Sequence, residues 1–518
     1  MDPVDLSIFS SRLNAVSDEM GAVLQRAAFS PNIRDRLDFS CAIFDAAGQL
    51  CAQAAHIPVH LGSMAYAMAD IVRQIDWQPG DMVIVNDPYL GGTHLPDVTV
   101  IAPLFINGDC LAFVANRAHH ADIGAESPGS MPISRSLDEE GLVLAPTKLV
   151  SGGQLQNDLL DSIVAQVRSG TAGRGDFAAQ ISANRAGLAR LTELVEQYGR
   201  AAFVAGLAEL NDYAERLAKD ALAVIPDGEY HFTDYMDDDG LGHTDLVITV
   251  KLRVRAGNVS VDFTGTAPQT PGNVNCPLSV AAAAVYYVFR CLMPDQTPAC
   301  AGSFRPIALH AAEGCLVNAR RPAAVAAGNV ETSSRIVDTV MGALAQAMPE
   351  RIPAASHGSM NNLAMGYAGD GVRGWDYYET IGGGMGAGRH GGGISGVQTH
   401  MTNTRNTPLE VLESNYPLRL RRYALRDGSG GEGLYPGGDG LVREFEFLGP
   451  ASVTLLTERR THAPWGLAGG EPGQPGNNRL NGEPVPGKVN LNVKSGDILT
   501  IETPGGGGYG KVTRSGTE

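Results

Sequence analysis

Positive charge is scarce in this 518-residue chain: 39 Lys and Arg stand against 56 Asp and Glu, a formal net charge of −17. Binding to a phosphate backbone needs a concentrated basic face, so nucleic acid is excluded as an expected partner. Cysteine is sparse as well. The seven, at positions 41, 51, 110, 276, 291, 300 and 315, include no CxxC pair and are odd in number. Neither a zinc knuckle nor a complete disulfide framework is expected from them, and they read as reduced thiols. No apolar run approaches the roughly 18 residues of a membrane span. The opening MDPVDLSIFSSRLNAV has neither a basic n-region nor an apolar h-region, so the expected location is cytoplasmic, with no membrane role.

Nucleotide machinery is missing too. The stretch GGGGYGKV, Gly505 to Val512, comes near the phosphate-loop pattern, but Val512 stands where a hydroxyl is required and only six residues follow it. That is too short for the helix whose N-terminus receives phosphate. A serine nucleophile elbow is likewise absent.

What the chain does have is an apolar content of 43%, 64 glycines and 30 prolines. The length allows roughly two to four packed units, and the glycine and proline favour many strands and turns. Leu6, Phe9, Leu13, Val16, Met20, Val23 and Leu24 fall at helical spacing, predicting a helix that stops before Pro31. DFSCAIFDAAGQLCAQA reads as a hairpin. DMVIVNDPYLGGTHLPDVTVIAPLF reads as strand, glycine-rich loop and strand, and GDCLAFVANRAHHADIG as a strand with its exit loop. Two or three amphipathic helices fill 155–225, strands return over 243–266, and helices fit SVAAAAVYYVFRCL and SSRIVDTVMGALAQAMP. The expected fold is α+β, mixed and multi-layer, in four regions: an N-terminal α/β part (1–150) with a metal site at strand ends, a helical segment (151–230), a central α/β part with a glycine-rich loop (231–415), and a β-rich C-terminal part (416–518).

The stretch NRAHHADIG puts His119, His120 and Asp122 at the end of a buried strand, in a chain with only 12 histidines. Alternate strand residues share a face, so His120 and Asp122 are expected to point together if the strand continues, with His119 opposite or turned in with the loop. Adding His94 from GGTHLPD and Asp38 from DFSCAIFD gives a mixed imidazole and carboxylate set. It suits zinc, manganese, iron or cobalt. The alternative is that the two histidines are hydrogen-bonded core residues. A second candidate is the glycine-dense Ile381–Gly396 with THMTNTRNTPLEVLE after it, where His390, His400, Asn403 and Arg405 line either a substrate cavity or an interface groove, or the glycines simply form a tightly wound structural loop.

The assembled motifs resemble the hydantoinase B/oxoprolinase family over nearly the whole chain. They are DFSCAIFD, HIPVHLGSM, NDPYLGGTHLPD, AHHADIG, DFTGTAPQTPGNVNCPLSV, PAAVAAGNVETSSRIVD, ETIGGGMGAG, THMTNTRNTPLEVLE, GSGGEGLYPGGDGLVREFEFL and TPGGGGYG. Members of that family include the B-type component of ATP-dependent N-methylhydantoinase, the C-terminal half of 5-oxoprolinase, and subunits of acetone and acetophenone carboxylases. The resemblance implies a division of labour. An A-type subunit carries ATP and Mg²⁺ and phosphorylates a carbonyl oxygen of a cyclic amide; the B-type chain holds a divalent transition metal and completes hydrolysis. Asp38, His94, one or both of His119 and His120, and Asp122 match the expected metal positions, with His94, His120 and Asp122 expected to take part in catalysis. The implied assembly is a hetero-oligomer with the A-type ATP-binding subunit acting on a hydantoin, 5-oxoproline or another lactam. A ketone carboxylase subunit and a non-catalytic scaffold are the competing expectations. Ala125, Ser334 and Gln398 depart from the family pattern at positions that bear on substrate identity.

Overall fold

The computed structural model describes residues 1–55, 57–168, 170–367 and 374–512. His56 of HIPVHLGSM and the last six residues of the expected C-terminal part lie outside the described residues. The α+β expectation holds, with four sheets among the described residues. None of the described helices is long and apolar enough to cross a membrane.

The N-terminal sheet has seven strands in the order Leu50–Ala55, Phe39–Asp45, Asp109–His119, Asp97–Ile106, Met82–Val85, Thr147–Ser151 and Gln154–Leu155, each antiparallel to its neighbours. The predicted first helix spans Pro3–Ala27, and Asp2 caps it by accepting from the N–H groups of Val4 and Asp5. Its buried stripe, including Leu6, Phe9, Leu13 and Met20, packs with the helix Gly170–Tyr198 over one face of the sheet. The other face is covered by the helix Pro58–Gln74 through Met64, Met68 and Ile71. That helix was not evident in the sequence, because its turns carry small, apolar and buried polar residues together instead of a clean apolar stripe.

A second, four-stranded sheet is ordered Ile307–His310, Asn258–Asp262, Thr244–Arg255 and Gly228–Asp238, with only the first pair parallel. The helices Leu278–Arg290 and Ser333–Ala347 share its core. Two further sheets take up the C-terminal strands, the first of them with two strands from before residue 380. One is ordered Trp375–Glu379, Asn362–Tyr367, Ala451–Leu456 and Lys488–Val493; the other is ordered Leu418–Arg426, Gly440–Phe447, Ile498–Glu502, Asn477–Leu480 and Glu483–Val485. The C-terminal part is β-rich, as the turn-punctuated sequence implies.

Glycine loops from distant parts of the chain interleave. A Cβ at Gly384 would fall 1.9 Å from the Gly438 carbonyl oxygen, and one at Gly506 would fall 2.1 Å from that of Met385. The closing GGGG run is thus threaded through the C-terminal loops as packing material, with no room for a phosphate. Of the alternatives open for Ile381–Gly396, a tightly wound loop describes Gly382–Gly386 and Gly393, where a Cβ on the glycines would meet other backbone or side-chain atoms at 2.9 Å or less.

A buried ion network joins the central and C-terminal parts. Arg459 reaches Asp234 at 2.7 Å and also Asp338, while Glu458 accepts from Arg335 at 3.0 Å and from Lys488. All these side chains are buried. Burial alone would lower the Arg459 guanidinium, but the facing carboxylates of Asp234 and Asp338 raise it above its ordinary value. Removing one partner leaves uncompensated charge in a low-dielectric interior. Arg459→Met should therefore destabilise the protein by about 3–5 kcal/mol, read as a lowered thermal midpoint. Breaking the half-exposed Arg305–Asp212 pair by Arg305→Ala should change stability by about 0–1 kcal/mol.

Candidate metal centre

The pairing of Asp97–Ile106 with Asp109–His119 sets Asp97 directly opposite His119 at the strand ends. Directly opposed residues stand within side-chain reach. The N–H of His119 donates to the carbonyl of Asp38 at 3.0 Å, which brings the entrance of the hairpin strand Phe39–Asp45 alongside. His94 arrives from the loop before Asp97. That loop turns through Gly91 at φ +91°, where a Cβ would fall 1.7 Å from that of Ala67, so only glycine fits. Asn86 pins the loop by donating to the carbonyl of Leu95 at 2.8 Å.

The result is a compact trio: His94, Asp97 and His119 offer ligand atoms that all lie within 4.8 Å of one another, and all three are buried. The hydrogen bonds fix which ring nitrogens are free. His94 Nδ1 lies 3.3 Å from the Ala326 carbonyl, which can only accept, so in the neutral ring this nitrogen carries the proton and Nε2, 3.2 Å from Asp97 Oδ1, the lone pair. His119 Nδ1 lies 3.1 Å from Asp97 Oδ1 and donates to it for the same reason. His94 Nε2 and His119 Nε2 are both buried without a hydrogen-bond partner. Buried polar atoms are ordinarily satisfied. Two lone pairs left bare beside a carboxylate fit a cation.

Asp97 is held from behind. Its Oδ2 accepts from Thr93, faces His60 Nε2 at 3.2 Å and accepts weakly from Asn329 at 3.5 Å. Burial would raise its carboxyl, but the His94 and His60 rings and the bonds from His119 and His60 hold it well below the usual carboxylate range. Burial would lower His94, and Asp97 outweighs it, so the ring is raised above its ordinary value. Tyr378 stacks on His119 with ring centroids 4.8 Å apart. Glu140 bonds the N–H groups of Val325 and Ala326 and so steadies the carbonyl that orients His94; burial pushes its own carboxyl up to about 7. The cavity, about 20 Å³, is also lined by Asp38, Thr380 and Thr402. It has room for one ion or one water.

Of the five residues expected from the sequence, the structure gathers His94 and His119 into the trio and places Asp38 in the same cavity. The other two are turned elsewhere. The strand ends at His119, so the alternation that would align His120 with Asp122 does not continue, and it is His119 that faces the site. His120 points to the helix Gly170–Tyr198, with Nε2 at 2.9 Å from Gln180 Oε1 and its ring against Phe177. Asp122 accepts from Ser130 and from Arg168 and caps the N–H of Gly124. Asp97 and His60 do not stand out in the sequence, although Asp97 lies inside NDPYLGGTHLPD and His60 inside HIPVHLGSM. The available signal for Asp97 is its place three residues after His94, at the head of the strand that pairs with His119. Of the second candidate group, Arg405 lines a separate cleft, His400 packs on Tyr287, and His390 and Asn403 are exposed.

The hydantoinase B/oxoprolinase family matches residues 2–512, and the chain belongs to it. It is 41% identical to 5-oxoprolinase 1 of Arabidopsis thaliana over 98% of its own length and 42% of that protein's. It is 34% identical to the B component of the putative D-/L-hydantoinase of Pseudomonas sp. (strain NS671), covering 98% of this chain and 90% of that one. Among solved structures, the ATP-dependent caprolactamase from Pseudomonas jessenii superposes with a TM-score of 0.90 at 28% identity, over 99% of this chain and 91% of that chain.

His119→Ala should lower the affinity for a divalent transition metal by roughly a hundredfold or more, since even removal of an outer partner of a ligand costs about 10–100-fold. His120→Ala should leave metal content unchanged and lower the thermal midpoint. Elemental analysis after dialysis separates the two. Because an imidazole must be neutral to bind metal and His94 is raised, metal should be released as pH falls through that raised value, earlier on acidification than an ordinary histidine, with its pKa of about 6.5, would give.

Proposed function

We propose that this chain is the ring-opening, B-type component of an ATP-dependent cyclic-amide hydrolase. It acts on a hydantoin, 5-oxoproline or a related lactam once an A-type partner has phosphorylated the amide carbonyl oxygen. The observation that carries this reading is the pair of bare, buried nitrogens, His94 Nε2 and His119 Nε2, beside the ionised Asp97. Family membership and the likeness to the caprolactamase support the reaction class.

Two imidazoles and a carboxylate suit zinc, manganese, iron or cobalt. When bound, such an ion acidifies water and polarises a carbonyl under attack. Asp97 orients His119 through Nδ1, Ala326 orients His94, and His60 with Thr93 stops Asp97 from swinging away. Asp38 supplies a second carboxylate to the same cavity, placed to ligate or to take the proton of the attacking water. Phosphorylation by the partner makes the amide carbon electrophilic; water adds to it and gives up a proton, the ring C–N bond breaks with the nitrogen taking up a proton, and a second water releases phosphate from the resulting acyl phosphate, so the two chains divide one difficult reaction between them. ATP and Mg²⁺ belong to the partner in this scheme, consistent with the packed Gly505–Gly510 run.

Purified A-type partner with this chain and ATP should open hydantoins or lactams and leave ketone plus bicarbonate untouched. His119→Ala should abolish ring opening while sparing assembly and most of the partner's ATP use. Ketone carboxylation without ring opening would identify a carboxylase component. Full ring opening by both the His94→Ala and His119→Ala complexes would reduce the chain to a scaffold.

A further inference from the structure

Arg36 has no exposed surface. It stands two residues before Asp38, in the connection between the one-turn helix Pro31–Arg34 and the strand Phe39–Asp45. Leu37, between the two, has φ +59°, in the left-handed region that residues other than glycine seldom enter. Such strain persists only where surrounding contacts impose it, and it gathers at functional sites. The contacts are identifiable here. The Arg36 carbonyl accepts from the N–H of Arg405 at 3.1 Å, the N–H of Asp38 donates to the carbonyl of Asn32 at 2.9 Å, and the Asp38 carbonyl accepts from His119 at 3.0 Å.

The Arg36 guanidinium bridges two walls of the metal cavity, since Asp38 and Tyr378 both line it. Nη1 donates to the carbonyl of Tyr378 at 2.7 Å and to Asn32 Oδ1 at 3.3 Å, and the group lies 4.9 Å from the centroid of the Tyr378 ring, whose plane stacks on His119. Nη2 lies 4.0 Å from Asp38 Oδ2, and among the described residues no other carboxylate stands within ion-pair distance of Arg36. Nε and Nη2, the two donors on one edge of the guanidinium fork, have no hydrogen-bond partner. Buried donors ordinarily find acceptors, and this edge matches a carboxylate. A small turn of Asp38 brings Oδ2 onto the fork and leaves Oδ1 for the cavity.

We propose that Arg36 is a positioning residue of the metal centre that acts through Asp38: its fork holds the outer oxygen and thereby aims the inner one at the ion. The assignment rests on the metal-centre reading above and adds a residue that touches neither ion nor substrate. Charge and position pull in opposite directions, so the sign of the effect decides between them. A buried cation beside the cavity repels a metal ion, and removing that charge alone should tighten metal binding. Removing a group that orients a ligand should loosen it by about 10–100-fold.

The affinity of the full chain for Zn²⁺ would be read by competition with a chromophoric chelator, and the visible absorption of the Co²⁺ form would report the number and geometry of the ligands. Arg36→Met should weaken Zn²⁺ binding by about 10–100-fold. Arg36→Lys, which keeps the charge but offers no fork, should weaken it by a smaller factor, and both should shift the Co²⁺ absorption. In an Asp38→Asn background Arg36→Met should cost nothing further, because the two side chains act as one unit. Zn²⁺ binding by Arg36→Met that is tighter than or equal to that of the wild type would overturn the proposal. Equal losses in the two backgrounds would also overturn it and leave Arg36 a structural support. If Arg36→Met fails to fold, Arg36→Lys and Asp38→Asn carry the test, and undiminished Zn²⁺ affinity with an unaltered Co²⁺ spectrum in both would overturn it equally. A wild-type chain that binds neither ion would sink the metal-centre reading along with this one, whereas wild-type binding that the Arg36 variants leave untouched would sink only the role of Arg36.

Discussion

Three imidazoles and a threonine hydroxyl converge on one buried carboxylate, Asp97. A carboxylate taken out of water ordinarily protonates unless opposite charge and donors compensate it. Here they do, and the retained charge in turn fixes the rings around it. His119 donates through Nδ1 to Asp97, His94 lies within 3.2 Å of the same oxygen, and both rings are left with Nε2 lone pairs that no protein donor meets. The site is thus preorganised by hydrogen bonds that cost nothing further when a cation arrives.

That carboxylate is held in place by contacts reaching far along the chain. Ser40 and His60 come from the hairpin strand and the helix that covers it, Asn329 from the π-helical turn Gly328–Thr332, and Tyr378 from the strand Trp375–Glu379. Tyr378 is itself tied down, its carbonyl accepting from the buried Arg36 at 2.7 Å and its hydroxyl donating to Asn362 Oδ1 at 2.6 Å. The interleaved glycines do the same for the backbone, since loops packed at carbonyl contact have no slack.

The two cavities differ in size and lining. The one at the trio has room for an ion or a water; the cleft beyond Thr404, about 400 Å³, is bordered by Arg405 and by Arg443, which pairs with Glu379. The sequence left the glycine-dense motif and the THMTNTRNTP stretch open between structural loop, substrate cavity and interface groove; the structure shows backbone packing over most of it and a cleft along its border. Gly384, Gly386 and Gly393 pack backbone on backbone, while Gly382, Gly396 and Arg405 border the cleft.

Much of this was legible in the sequence. Apolar spacing alone marked the helix Pro3–Ala27, the first hairpin, the strands on either side of the GGTHLPD loop and the helix Ser333–Ala347, because period and end signals are local properties. The motifs pointed to the family, and His94, His119 and Asp38 were in hand as candidates. What the sequence left undetermined was which neighbour in a pair faces inward. His119 and His120 are chemically identical and adjacent, and the choice between them depends on where the strand stops and on its register against Asp97, which long-range pairing sets. Asp122, close to His119 in sequence, is drawn off by Arg168 from a distant segment, while Asp97, more than twenty residues before His119, is its direct cross-strand partner. Residue types and local periods are written in the chain; which side chains share a buried carboxylate is decided only when the sheet closes.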